Sequence, residues 1–160
     1  MEETKDQLIN AARVGDIASL QLLIDQGADV NCKDAKGYTP LIIASYNNQL
    51  EAVKLLLAAN ADVNIQDMGG NTALMGVCFK GYPEIAELLI ANGADLNIQH
   101  SNGGTALMFS VLFGRNKLVD IVMKNGANTS IKDARGLTAI DLAVQQGNVE
   151  AIELMEAYQA

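Results

Sequence analysis

Gly37-Tyr38-Thr39-Pro40-Leu41, Gly70-Asn71-Thr72-Ala73-Leu74, Gly103-Gly104-Thr105-Ala106-Leu107 and Gly136-Leu137-Thr138-Ala139-Ile140 begin 33 residues apart each time, with Gly and Thr fixed. A second frame keeps the same interval: Gln26-Gly27-Ala28-Asp29-Val30-Asn31, Ala59-Asn60-Ala61-Asp62-Val63-Asn64, Asn92-Gly93-Ala94-Asp95-Leu96-Asn97 and Asn125-Gly126-Ala127-Asn128-Thr129-Ser130. Two frames that never slip against each other mark a repeat architecture, and that reading takes precedence over any assignment of single helices.

Each unit reads as helix, tight turn, helix and extended loop. Thr39 can accept a backbone N–H as N-cap, and Pro40 falls at the first helical position, where a missing N–H costs nothing. Thr72, Thr105 and Thr138 repeat the cap. The first helix stops at Gly15, Asn48, Gly81, Gly114 and Gly147, as a left-handed terminating residue requires. The second carries an apolar stripe at i, i+3, i+4: Leu20, Leu23 and Ile24; Val53, Leu56 and Leu57; Ala86, Leu89 and Ile90; Val119, Val122 and Met123. It ends at Gly27, Asn60, Gly93 and Gly126. Asn replaces Gly at 48 and 60, and Asn is the non-glycine residue that best tolerates positive φ. Asp34, Asp67 and Asp133 sit where a reversing turn between units is needed.

These motifs resemble the ankyrin repeat. Its Gly-x-Thr-Pro-Leu-His-x-Ala opening stands here as Gly37-Tyr38-Thr39-Pro40-Leu41-Ile42-Ile43-Ala44, and its Leu-Leu-x-x-Gly-Ala-Asp-Val-Asn closing as Leu22-Leu23-Ile24-Asp25-Gln26-Gly27-Ala28-Asp29-Val30-Asn31. The resemblance covers nearly the whole chain, and its Thr-Ala-Leu-Met variant is similar to bacterial members. It implies an all-α solenoid of stacked helix-turn-helix units with β-turn finger loops: a capping unit at 1–36, full repeats at 37–69, 70–102 and 103–135, and a capping pair at 136–160. The opening motif's His is here Ile42, Met75, Met108 and Asp141, so the polar network it usually anchors must be replaced, with apolar contact between units doing more of the holding.

Composition narrows the function. Eleven Lys and Arg against nineteen Asp and Glu give a net charge of −8, and such a field repels phosphate backbones, which excludes a nucleic-acid role. With 49% hydrophobic and 19% charged residues the chain has the apolar content to fold. No apolar run approaches the ~20 residues that span a bilayer, so no membrane role is expected. The opening residues Met1-Glu2-Glu3-Thr4-Lys5-Asp6 do not read as a secretory leader, and Cys32 and Cys78 form no CxxC. A cytoplasmic monomer is expected; the alternative is a periplasmic or secreted accessory protein whose leader has been removed.

No catalytic set converges. His100, the single histidine, occupies the slot of Asp34, Asp67 and Asp133, where bonding turn backbone groups is the expected role. It cannot build a zinc site with Cys32 and Cys78, which lack ligand spacing. Cys78 falls at the buried end of a first helix, as do Val111 and Val144, and reads as core, whereas Cys32 in the finger is the thiol expected to oxidise. Gly69-Gly70 and Gly103-Gly104 lack dinucleotide-fingerprint spacing and read as turn glycines. Asn128-Thr129-Ser130 matches a glycosylation sequon, and Asn31, Asn64 and Asn97 resemble an Asn hydroxylated in some animal repeats, although bonding within the loop is the reading preferred for them. No enzyme activity, cofactor or metal is expected, and a small-ligand protein using the groove as a pocket is the lesser alternative.

Framework positions of a repeat array are committed to stacking, so recognition is written in side chains that vary at a fixed slot. The resemblance implies that two slots closing each first helix, and the finger tips, face a concave groove. The residues expected there to bind an unidentified partner protein are Arg13, Lys36, Tyr38, Tyr46, Met68, Phe79, Lys80, Leu112, Phe113 and Arg135. Tyr46, Phe79 and Leu112 are expected to form an apolar line with Phe113 beside it. The competing reading is that these rings pack against neighbouring units.

Overall fold

In the computed structural model, which describes residues 2–159, ten α-helices follow one another with no strand among the described residues. Met1 and Ala160, at the edges of the first and last expected units, lie outside the described residues. The helices pair as α1 (Glu2–Val14) with α2 (Ile17–Asp25), α3 (Pro40–Tyr46) with α4 (Leu50–Ala58), α5 (Ala73–Lys80) with α6 (Pro83–Ala91), α7 (Ala106–Leu112) with α8 (Asn116–Lys124), and α9 (Ala139–Gln146) with α10 (Val149–Gln159). Each pair lies within one 33-residue period.

Local chemistry sets the ends of these helices. The hydroxyls of Thr39, Thr72, Thr105 and Thr138 accept the N–H of Ile42, Met75, Met108 and Asp141, satisfying one of the donors a helix start leaves open. In the last unit Asp141 returns a bond to the Thr138 N–H at 2.9 Å and completes a capping box. At the other ends, Asn48 (φ 57°) and Asn60 (φ 66°) take the left-handed conformation that glycines take in the other units, as the substitution pattern predicts.

Two layers result. The first helices stack in series, α1 on α3 on α5 on α7 on α9, and the second helices form a parallel row from α2 to α10. The core is one continuous apolar seam between the layers, from Leu8 and Leu20 through Leu41, Leu56, Leu74, Leu89, Leu107 and Val122 to Leu142 and Met155. The chain exposes 7743 Å², close to the ~7,700 Å² that size scaling gives a compact protein of this mass. Five units are therefore too few to incur the surface cost of an elongated array.

Met75 and Met108, in the motif's histidine slot, are 2% exposed and belong to the core. The missing polar network is replaced by three ladders running across units. Finger backbones pair directly, with the N–H of Met68, Ser101 and Ala134 donating to the carbonyls of Lys36, Gly69 and Asn102 at 2.9–3.0 Å. Gln66 and Gln99 each donate from Nε2 to their own finger and to the next, at Gln99 O and Lys132 O. The third ladder corrects the preferred reading of the asparagines: Asn31, Asn64 and Asn97 accept the backbone N–H of Asp62, Asp95 and Asn128 in the following unit at 2.8–2.9 Å. A side chain 31 residues upstream bridges two loops because stacking brings equivalent loops side by side.

A second correction concerns the end of the stack. Cys78 and Val111 are fully buried, but Val144 in the equivalent position is 61% exposed. Among the described residues no helix packs on the far side of α9.

Candidate functional site: the concave groove

The inner helices end on one face, and the fingers stand beside it. Two clefts mark the groove between them. The first, of about 360 Å³, lies between the second and third units and is walled by Tyr38, Ile42, Tyr46, Met75, Phe79 and Phe109. Its floor is Gly76. The other units carry Asn10, Ile43, Phe109 and Leu142 at that slot, so the hollow exists because one side chain is missing. A Cβ on Gly76 would stand 3.3 Å from Tyr46 Cδ1; the tyrosine ring lies over bare helix. Asp67, Asn71 and Asn47 add polar atoms to the rim. The second cleft, of about 390 Å³, is lined by His100, Asn102, Met108, Leu112, Arg135 and Leu142 among others.

The aromatic line is present, with one change of member. Tyr46 and Phe79 stack with centroids 6.2 Å apart and planes 7° from parallel, and Phe113 meets Phe79 edge-on at 4.5 Å. Both geometries suit the ring quadrupole. Tyr46 is 43% and Phe113 46% exposed, Phe79 is half-buried, and none of the three packs against the core. Leu112 does pack against the core, so Phe113, not Leu112, continues the line. The reason is a rule the 33-residue register hides. The residue closing the slot pair in one unit reaches back onto the slot before it in the preceding unit: Lys80 Nζ lies 5.0 Å from the Tyr46 ring centroid, Phe113 meets Phe79, and Gln146 Nε2 donates to Leu112 O at 2.9 Å. Each pair is separated by 34 residues, and a search for that offset would have found it.

The remaining expected residues are distributed along the same face. Arg13 is exposed and donates to Asn10 Oδ1 at 2.6 Å. Lys36 is exposed on the finger that supplies Tyr38, and Met68, on the next, is 80% exposed. Arg135 forms a 3.0 Å ion pair with Asp133. The Leu137 N–H, helped by Arg135, holds the Asp133 carboxyl below the usual carboxylate range. Arg115, outside the expected set, donates from Nε to Phe79 O at 3.1 Å and fixes the end of α5 under the aromatic row.

His100 has the turn role expected of it. Its Nδ1 accepts the Gly104 N–H at 2.9 Å, as Asp67 Oδ1 accepts that of Asn71, and its ring meets Phe109 edge-on at 5.0 Å. The larger ring fits because the neighbouring slot is glycine: a Cβ on Gly104 would stand 2.8 Å from His100 Cε1. Cys32 is half-buried, and burial followed by the Asp29 charge raises its thiol above the ordinary value. It is the more accessible of the two thiols, since Cys78 is fully buried, and the raised value disfavours its reactive thiolate. Among the described residues no group of three His, Cys, Asp or Glu is placed to hold a metal, and no helix is long and apolar enough to cross a membrane.

Comparison with known proteins agrees with this architecture. The family model described as ankyrin repeats, in three copies, matches residues 8–100 and again 74–159. The ankyrin repeat domain-containing protein 29 of Danio rerio is 55% identical over 42 residues, 26% of this chain and 14% of that protein. A VAPYRIN-LIKE protein of Medicago truncatula is 44% identical over 46 residues, 29% of this chain and 10% of its own length. A small ankyrin repeat protein of Rickettsia felis is 36% identical over 50 residues, 31% of this chain and 79% of that protein. The matched segment is thus a small part of the first two relatives. With the repeat register, the stacked helix pairs and the family match in agreement, the chain belongs to the ankyrin repeat family.

Proposed function

We propose that the chain is a non-catalytic protein-binding module that holds one partner protein in its concave groove, with the finger loops setting specificity. Ankyrin repeats are in general protein–protein interaction modules, and the observation that carries the reading for this chain is the row Tyr46, Phe79 and Phe113. Three rings in a row, Phe79 touching the other two, outside the core and open to solvent, form the contiguous apolar surface that marks interaction sites. Aromatic side chains dominate interface energetics because they bury large area with few rotamers to freeze. The inner helices fix their positions before any partner arrives, so docking loses little conformational entropy.

The test is affinity capture from the native cell with the wild-type chain and with Tyr46→Ala/Phe79→Ala. The double variant should keep its helical circular dichroism and lose a captured protein that the wild type retains. Equal capture by both proteins would remove the groove from the account.

A further inference from the structure

The charges on the groove are distributed against the chain's overall sign. The slots closing the first helices hold Arg13, Val14, Tyr46, Asn47, Phe79, Lys80, Leu112, Phe113, Gln145 and Gln146, and the finger tips add Lys36 and Arg135. Four of the chain's eleven cations occupy these slots and none of its nineteen carboxylates does. Carboxylates do line the clefts, each with one oxygen turned to the backbone of its own finger. Asp67 Oδ1 accepts the N–H of Gly69 and Asn71 at 2.9 Å, and Asp133 Oδ1 accepts those of Arg135 and Leu137. Asp141, at the start of α9, is held in its capping box. Of the cations, Arg135 is paired with Asp133, whereas Arg13, Lys36 and Lys80 form no ion pair among the described residues. The slots around the aromatic cleft therefore carry the unpaired Lys36 and Lys80 against one lining carboxylate, Asp67, on a protein of net charge −8.

From this we infer that the partner segment is an acidic peptide stretch with one large apolar side chain, seated in the cleft over Gly76, with its flanking carboxylates facing Lys36 and Lys80. The inference rests on the groove being the docking face, as proposed above. Lys80 lies over the Tyr46 wall and Lys36 stands two residues before Tyr38 on the finger that supplies that wall, so both cations border this hollow. A cleft of about 360 Å³ with mostly apolar walls accepts a Phe, Trp or Leu side chain. Like charge on the outer helices, among them Glu51, Glu84, Glu87 and Glu150, repels the same peptide and leaves the groove as its favoured landing place.

The experiment pans a phage-displayed library of random peptides, about twelve residues long, on the full chain, with counter-selection on Tyr46→Ala/Phe79→Ala, which removes the contiguous apolar surface that marks interaction sites. Recovered peptides should carry a Phe, Trp or Leu among an excess of Asp and Glu. A synthetic copy of the most enriched peptide should bind at least about tenfold more weakly to Lys36→Glu/Lys80→Glu and to Gly76→Ile, and should weaken as salt rises from about 50 to about 300 mM. Circular dichroism of each variant confirms that it is folded. Groove-dependent peptides without acidic excess, or indifferent to the lysine changes, overturn the charge inference and leave the groove reading intact. Binding unchanged by Gly76→Ile overturns the seat over Gly76. Peptides that bind the Tyr46→Ala/Phe79→Ala chain equally well, or no enrichment over it, overturn the groove reading itself.

Discussion

The Lys80 ammonium lies 5.0 Å from the centroid of the Tyr46 ring, across the boundary between two repeats. The contact couples units through the groove surface as well as through the core. An exposed pair of this kind contributes about 0.5–1 kcal/mol. Lys80→Met should therefore lower urea stability by that amount, and a double-mutant cycle with Tyr46→Leu should return a coupling of similar size. Zero coupling would mean that the ammonium rests over the ring without attraction.

The left-handed asparagines give a prediction of definite sign. Asn48 at φ 57° and Asn60 at φ 66° occupy backbone positions that a Cβ disfavours. Asn48→Ala should cost about 1 kcal/mol, the penalty of the left-handed region for an ordinary residue. Asn48→Gly should be neutral or mildly stabilising. Chemical denaturation of both variants decides the matter, and a stabilising alanine would contradict the assigned geometry.

His100 makes the bond that aspartate makes in the other units. Removing it in His100→Ala leaves the Gly104 N–H without its 2.9 Å acceptor and should cost about 1–2 kcal/mol, including the lost packing on Phe109. His100→Asp should restore the acceptor and recover part of that loss. If the alanine and aspartate variants melt together, the hydrogen bond contributes nothing.

Cys78 predicts a loss of stability in alkali. Burial, opposed by a hydrogen bond with Ser110, pushes its thiol up to about 12. Between the ordinary thiol value and that value the unfolded chain releases a proton that the folded chain retains. Unfolding is then favoured as pH rises, by roughly 1.4 kcal/mol per pH unit from this group. Below that window the group contributes no pH dependence. Cys78→Ser, with the residue the second unit carries as Ser45 at the same slot, should flatten the alkaline slope relative to wild type. Identical slopes would show that the thiol ionises freely in the folded chain.

The fold was legible because its signals are local and repeated. Thr caps, left-handed Asn or Gly stops and apolar stripes each recur at a fixed interval, so one ambiguous residue is corrected by its equivalents. The asparagine ladder is hidden in the sequence for the opposite reason: Asn31 accepts the Asp62 N–H, and nothing near position 31 announces a partner in the next loop. The exposure of Val144 is not legible in the sequence because burial at that slot depends on what packs beyond it, which no residue within the unit specifies. In the groove the slots were readable from the register, but the aromatic row steps 33 residues from Tyr46 to Phe79 and then 34 to Phe113. Leu112 packs against the core although it closes α7 at the slot where the exposed Tyr46 closes α3, so the register alone does not decide which side chain faces the groove. The hollow over Gly76 was visible only as a glycine inside a helix, where its meaning depends on the ring lying above it.

Covalent trapping tests the central claim most directly. A photoreactive benzophenone side chain placed at Phe113, in the groove, should crosslink one partner protein in the native cell, and the same group at Leu22, exposed on an outer helix, should not. Crosslinking from Leu22 with none from Phe113 would contradict the docking face described here.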